Sequence, residues 1–459
     1  MAEFWMYDVG FMILFTIFVT WFLITRKKNL SREGIIFMYR TQLGIKFIKY
    51  IGDNFKRTLN SLRYVIIAVG LFLMSIMIWM LGQTLFIYIK NPEITEVIKA
   101  PPIAPLIPYF PKLFGMESFF PPFYFTYFIV ALAIVAIVHE FSHGIFMRRF
   151  GIKIKSTGLV FLGPILGAFV EEEKRGFEKK KNVEQMTVLG AGVFANSLFA
   201  LIFYGLYVLF FLTSFTPSGY MFNSYTLVAI PLGNITGFED LGNLTKVNTN
   251  NGTFYLDDNL AGQLELGGSD YLIAYAKAPA VLVQMRGAII EANGVKIKNH
   301  DDLRLFLESV NPGDSVYFLT ETNEGINEYT VILSEHPSNS SKPYLGISHS
   351  SPQPRGIIQN LFVGFMKFKD SSTLYKPAFD GELAYFILHL LWWIMVINLL
   401  VALFNMLPLG ILDGGRFFYL AVLSVTGSEN FAKSAFKIMT YAILLIFLFL
   451  MFIWFVRIF

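Results

Sequence analysis

Residues 119–149 read FFPPFYFTYFIVALAIVAIVHEFSHGIFMRR, and the fold turns on that stretch. Its opening, Phe119–Val138, carries no charge and approaches the ~20 apolar residues that cross ~30 Å of hydrocarbon. His139, Glu140 and His143 then stand where an apolar helix would reach the membrane's margin, and Arg148 and Arg149 follow. On a helix, positions i and i+4 share a face, so the two imidazoles can reach one tetrahedral zinc and the Glu between them a water on it. The metal lowers that water's pKa toward ~7, and a carboxylate that takes its proton completes a hydrolytic nucleophile, the core chemistry of a peptidase. A chance match to H-E-x-x-H in a chain with 6 histidines is of order 1% or less. Beside lipid, each of these polar groups would cost a few kcal/mol unless paired or coordinated.

The rest of the chain agrees with a membrane setting. Of 459 residues, 54% are hydrophobic, 17% aromatic and only 15% charged. With a mean hydropathy of +0.54, that excludes a disordered chain and argues against an ordinary soluble enzyme. A net charge of +4 is too small to argue for nucleic acid, and no cysteine is present for disulfides or thiolate ligands. Six segments approach spanning length: Val9–Thr25, Tyr64–Ile89, Phe119–Val138, Met186–Thr213, Leu383–Phe404 and Met439–Val456. The first reads as a retained span, because Glu3 and Asp8 precede it and its basic cluster follows it, the reverse of a signal peptide. The basic stretch from Arg26 to Arg63 is expected in the cytoplasm by the positive-inside rule, which puts the N-terminus outside. The same orientation brings Arg148, Arg149, Lys153, Lys155 and Lys179–Lys181 inside, and residues from about 216 to 380 outside. Sequons at Asn234, Asn243, Asn251 and Asn339 fall in that outer segment, one at Asn29 falls inside, and such motifs carry little weight.

Two histidines and a water leave one protein ligand to find. Between the fifth and sixth spans lies Asn405-Met-Leu-Pro408-Leu-Gly410-Ile-Leu412-Asp413-Gly414-Gly415-Arg416. Pro408 and Gly410 interrupt the helix, which at membrane depth is tolerated where the backbone is buried or lines a cavity. Asp413 follows, before an expected helix restart, on the side where His139 and His143 are expected. His139–His143 on a span, followed about 270 residues later by Asn405-x-x-Pro408-x-x-x-Leu412-Asp413-Gly414, resembles the site-2 protease family of intramembrane zinc metalloproteases. The resemblance implies one catalytic Zn2+ held by His139, His143 and Asp413, with Glu140 as general base and Asn405 assisting near the reacting carbonyl. Gly167-Ala168-Phe169-Val170-Glu171 and Gly190-Ala-Gly-Val193-Phe-Ala-Asn196 are similar to two further family segments, with Val193 where Pro is usual.

Residues 156–171 are apolar but short, and Gly158, Gly163, Pro164 and Gly167 punctuate them, so a re-entrant β-hairpin is expected rather than a span. In the resembling family this element offers a strand edge near zinc. Gly167, Ala168, Phe169 and Val170 are therefore expected to bind substrate by strand addition, with Asn196 also assigned to substrate; a hydrophobic plug is the plainer reading of the hairpin. Asn398 shares a face with Asn405 and reads equally as groove lining or interhelical glue. His389 lies too far along its span to be a ligand and reads as a packing or gating residue. His300, His336 and His349 read as ordinary surface residues.

The expected architecture is a polytopic α-helical membrane protein with about six transmembrane helices, a re-entrant β-hairpin and one extramembrane α+β PDZ-like domain. The divisions expected are 1–118, a two-helix membrane region; 119–215, the first half of the catalytic core; 216–355, the extracytoplasmic PDZ-like domain; and 356–459, an interfacial helix with the second half of the core. Gly287–Ile297 reads as a strand, an Asn-Gly turn and a return strand, followed by a capped helix at Asp301–Ser309 and two more strands. That order resembles the second half of a PDZ domain, whereas 220–285 matches it poorly. Ile357, Ile358, Leu361, Phe362 and Phe365 recur at helical spacing, the mark of an interfacial helix. The function expected is zinc-dependent cleavage of single-span membrane proteins in or near their transmembrane segment, in the cell membrane of a prokaryote. The partners expected are that substrate, membrane lipid and an upstream site-1-type protease, with no nucleic acid. A catalytically silent scaffold or chaperone is the alternative, weakened because all five required residues are present. A metal transporter would need ligands repeated along several spans, and none recur.

Overall fold

Long apolar segments satisfy every backbone group internally only as helices, and among its described residues the computed structural model contains six helices long and apolar enough to cross a membrane. It describes all residues except 1, 35, 92–100, 104–105, 118, 164, 243, 258–259, 261–269, 351–359, 361–363, 366 and 459. The chain divides into two units, Met1–Phe211 with Glu382–Phe459, and Leu212–Gly381.

In the first unit the six long helices are α1 (Ala2–Thr25), α3 (Lys56–Lys90), α4 (Phe125–Arg149), α5 (Asn182–Ser214), α6 (Gly381–Asn405) and α8 (Glu429–Ile458). The shorter helices α2 (Ile45–Asn54) and α7 (Asp413–Thr426) complete the set that positions the site. Most helices outrun their apolar segments, but α4 starts six residues later than the uncharged run. Pro121 and Pro122 lie in the missing turn, and proline lacks the N–H that a helix interior needs. At its other end α4 continues through the H-E-x-x-H motif to Arg149.

Small residues let the helices approach. A Cβ on Gly70 of α3 would stand 2.9 Å from the Phe417 ring, and one on Gly190 of α5 would stand 2.9 Å from Ile66. Ile66, Leu73, Met74, Val193, Met406 and Phe417 are accordingly buried. The amphipathic α2 buries Ile45, Ile48 and Gly52. A Cβ on Gly144 would meet Ile48 at 2.9 Å, so α2 lies close against the helix that carries the histidine pair. Arg148 and Asp53 join the two helices at 2.7 Å.

The basic stretch after α1 is more than a connection. Leu30–Glu33 (β1) and Ile36–Thr41 (β2) form a hairpin that extends the one made by Ile154–Leu162 (β3) and Ile165–Glu172 (β4). The result is a four-stranded antiparallel sheet in the order β1-β2-β3-β4, with Tyr39 opposite Leu159 and Gly158 opposite Phe169. Gly158 is required at the crossing, since a Cβ there would lie 2.2 Å from the Tyr39 carbonyl oxygen. The strand β4 is left at the edge, against α4.

The second unit holds two larger sheets. The strand Ala288–Ala292, its turn at Asn293-Gly294, the helix His300–Glu308 and the strands Ser315–Thr322 and Gly325–Ile332 fall close to the positions read from sequence. Asn299 caps that helix by accepting the Asp302 N–H at 3.0 Å. Tyr220, Met285, Ile289, Ile297, Leu303, Phe306, Val316 and Phe318 close the core. The part that sequence left unassigned, 227–276, folds as a five-stranded antiparallel sheet with its own core around Val247, Leu256, Leu272 and Ala274. Phe215–Met221 pairs with Thr373–Pro377, so the two ends of this unit are joined by one ladder. Of the proposed interfacial helix, Ile357, Ile358, Leu361 and Phe362 lie outside the described residues, and Phe365 is exposed.

Candidate metal centre

The site is assembled from four elements of the first unit. On α4, one helical turn separates His139 from His143; both are buried, and their rings meet edge to face with centroids 4.6 Å apart. Glu140 sits between them, and ligand atoms of the three lie within 4.8 Å of one another.

Asp413 comes from the start of α7. The chain leaves α6 at Asn405, makes a tight turn in which the Leu409 N–H donates to the Leu407 carbonyl at 2.7 Å, and re-enters a helix at Asp413. Two glycines allow the turn to lie beneath the new helix: a Cβ on Gly414 would stand 2.4 Å from the Met406 carbonyl carbon, and one on Gly415 would stand 2.2 Å from the Leu409 oxygen. This places Asp413 Oδ2 at 3.1 Å from His139 Nε2 and 3.3 Å from His143 Nε2.

The helix α5 closes over the far side of the imidazoles. The Val188 carbonyl faces His143 Nδ1 at 2.6 Å, and the Asn196 amide faces His139 Nδ1 at 3.1 Å. Midway between them, a Cβ on Gly192 would lie 2.6 Å from His143 Nε2 and 2.7 Å from His139 Nε2. The fourth element is β4, whose Val170 N–H donates to Glu140 Oε2 at 3.1 Å. The Glu140 carboxylate is thereby tied to the edge strand.

The donor set fits a tetrahedral zinc. Ligands held ~2.0–2.1 Å from such an ion stand ~3.3 Å apart, close to the two Nε2–Oδ2 separations found. The chemistry agrees with the distances. A carbonyl accepts only, so His143 Nδ1 must carry a proton, and if the ring is neutral its Nε2 lone pair points at the anionic Asp413 oxygen. Two electron-rich atoms at 3.3 Å require a positive charge between or upon them, which a cation supplies.

Of the other residues read from sequence, Gly167, Ala168, Phe169 and Val170 all lie on β4, opposite Val160, Leu159, Gly158 and Thr157. Glu171 ends that stretch in contact with Arg40 at 3.0 Å and Ser156 at 2.9 Å; those hydrogen bonds, the arginine's first, hold its carboxyl below the usual carboxylate range. Asn405 closes α6 and is half-buried. Asn398 is wholly buried, donating to the Ile394 carbonyl of its own helix at 2.8 Å. Asn196 is wholly buried too, against His139. Sequence reading missed Gly192 and Val188. The signal for the glycine was present in Gly190-Ala-Gly192, a run of small residues on one helix, but its target is a ring on a helix some fifty positions away.

Residues 127–451 match the family described as peptidase family M50, more than half of the chain. An uncharacterized protein of Methanocaldococcus jannaschii is 28% identical over 290 residues, which cover 62% of this chain and 54% of that protein. The chain thus matches about half the length of that relative. The six long apolar helices and the family together describe an integral, multi-pass membrane protein. The histidine, glutamate and aspartate that converge in the first unit are the residue types a family of zinc metalloproteases requires, and with a match over residues 127–451 the chain belongs to peptidase family M50, the site-2 protease family.

Proposed function

We propose that this metalloprotease is a zinc-dependent intramembrane endopeptidase that hydrolyses a peptide bond in or near the transmembrane segment of single-span membrane proteins. The observation that carries the reading is the approach of Asp413 Oδ2 to both His139 Nε2 and His143 Nε2, from helices far apart in sequence.

His139, His143 and Asp413 would hold the ion. When bound, zinc supplies Lewis acidity and brings a water within reach of deprotonation near neutral pH. The remaining roles belong to the chain. Glu140 takes the proton from the attacking water and passes it to the departing amine; its Oε2 is steadied by the Val170 N–H, leaving Oε1 to receive. Asn405, at the end of α6, is assigned to the reacting carbonyl, where an amide donor stabilises developing negative charge. A transmembrane substrate must unwind before cleavage, because its amides are internally bonded. The edge strand β4 offers Gly167–Val170 as a ladder for the unwound segment. By the basic residues that follow α4, cleavage is placed near the cytoplasmic side of a prokaryotic cell membrane, with the Leu212–Gly381 unit extracytoplasmic and PDZ-like in part. An upstream site-1-type protease that first trims the substrate's outer portion fits that reading.

The test uses the full chain with a model single-span substrate. Glu140→Gln keeps one zinc per chain and loses cleavage; His143→Ala loses the metal as well. Turnover retained by Glu140→Gln overturns the mechanism.

A further inference from the structure

The wholly buried Asn196 has a carbonyl oxygen, Oδ1, that no donor reaches, while its Nδ2 points at His139 Nδ1 from 3.1 Å. A buried amide oxygen without a partner is destabilising, because its lost hydration is not replaced. Amide oxygen and nitrogen are nearly alike in shape, so their assignment follows from the hydrogen-bond network. Here the requirement for a lone pair on His139 Nε2 favours the exchange. With Nδ2 donating, His139 Nδ1 would be the bare nitrogen and Nε2 would carry the proton, leaving no lone pair on the atom that faces Asp413. With the amide turned over, Oδ1 accepts from Nδ1–H and the Nε2 lone pair faces the centre, while Nδ2 takes the place of the unpartnered oxygen.

The neighbouring histidine already shows that arrangement. His143 Nδ1 donates to the Val188 carbonyl at 2.6 Å, which in the neutral ring leaves Nε2 as the bare nitrogen. Val188, Gly192 and Asn196 are spaced by four on α5 and so form one stripe. The glycine removes the Cβ that would strike both rings, and Val188 and Asn196 on either side of it each face the Nδ1 of one ring.

We propose that Asn196 is a positioning residue of the metal centre, accepting the His139 Nδ1 proton through Oδ1, so that one stripe of α5 sets the tautomers of both histidines. This rests on the metalloprotease reading above, and it replaces a substrate contact as the role of Asn196. Such partners of ligating histidines typically carry 10–100-fold in metal affinity.

The test is zinc affinity of the full chain in detergent, by competition with a chromophoric chelator, for the wild type and Asn196→Leu, Asn196→Asp and His143→Ala. Asn196→Leu is expected to bind zinc 10–100-fold more weakly with little change in melting temperature. Asn196→Asp, which can only accept, is expected to keep wild-type affinity, and the 15N spectrum of that zinc-loaded variant should show protonated Nδ1 on both His139 and His143. Wild-type affinity in Asn196→Leu overturns the proposal. So does loss of affinity in Asn196→Asp, which would mean that the amide donates; that arm decides the matter even if the leucine variant does not fold. No zinc in the wild type, or undiminished zinc in His143→Ala, would instead overturn the metalloprotease reading itself.

Discussion

Asp8 of the first span caps the helix that carries the histidine pair: its Oδ2 accepts the N–H of Phe125, the first residue of α4, at 2.9 Å. Its other oxygen accepts the Thr126 N–H at 2.8 Å and the Thr126 hydroxyl at 2.6 Å, and Tyr109 donates to Oδ2 at 2.5 Å. The residue that precedes α4, Tyr124, makes no side-chain cap of its own. A carboxylate from another helix thus satisfies two of the orphan donors and meets the positive end of the helix dipole. Replacing a capping side chain by alanine costs about 0.5–2 kcal/mol. Asp8→Ala should lower the thermal midpoint of the full chain in detergent, and Asp8→Asn, which keeps one acceptor, should lower it less. Equal midpoints in all three proteins would show that the cap contributes nothing.

Gly192→Ala should abolish zinc binding while leaving the helices intact. The added Cβ would stand within 2.7 Å of both imidazoles, and a buried ring pair wedged between helices cannot retreat without moving Nε2 from Asp413. Gly205 is the control on the same helix, because nothing lies within 4 Å of its Cβ position. Gly205→Ala should bind zinc normally and gain up to ~1 kcal/mol from helix propensity. The comparison is made by metal content and circular dichroism.

How far these features were legible depended on whether the signal was local. The H-E-x-x-H and Leu412-Asp413-Gly414 motifs are short patterns in an apolar background, so their residues stand out, and the long apolar runs announce the helices. Asp8 was visible only as a charge at the wrong end for a signal peptide; its partners, Phe125 and Thr126, are more than a hundred residues away. Strands β1 and β2 were hidden because Leu30–Thr41 lies among lysines and arginines whose count speaks for sidedness, while the pairing of Tyr39 with Leu159 that stabilises them is remote. The sheet over 227–276 escaped for a similar reason. Its strands are five or six residues long, and short strands owe their stability to partners rather than to local pattern.

Acid should loosen the four-stranded sheet through Glu171. Arg40 and Ser156 hold its carboxyl below the usual range, so the folded protein resists protonation that the unfolded chain accepts. Its stabilising contribution is complete above the unfolded value near 4.3 and is lost as pH falls through the lower folded value. Both side chains are about one-third exposed, which limits the effect to about 1 kcal/mol or less. The stability difference between wild type and Glu171→Gln should shrink between pH 5 and pH 3, and Arg40→Ala should remove most of that dependence. A constant difference across the range contradicts the assignment.

The turn before Asp413 offers a sharper comparison between two glycines five residues apart. At Gly415 a Cβ would lie 2.2 Å from the Leu409 carbonyl oxygen and 2.6 Å from its carbon, and these are backbone atoms that cannot swing aside. At Gly410 the nearest atom is the tip of the Phe436 ring at 3.7 Å, an ordinary contact. Gly415→Ala must therefore lift the start of α7 from the turn, and Asp413, two residues earlier, moves with it away from His139 and His143. Gly410→Ala leaves that packing in place. Zinc content measured on purified full-length protein should fall by at least tenfold in Gly415→Ala and stay near one ion per chain in Gly410→Ala. If the two variants bind alike, the close packing of Gly415 on Leu409 is not what holds the aspartate in position.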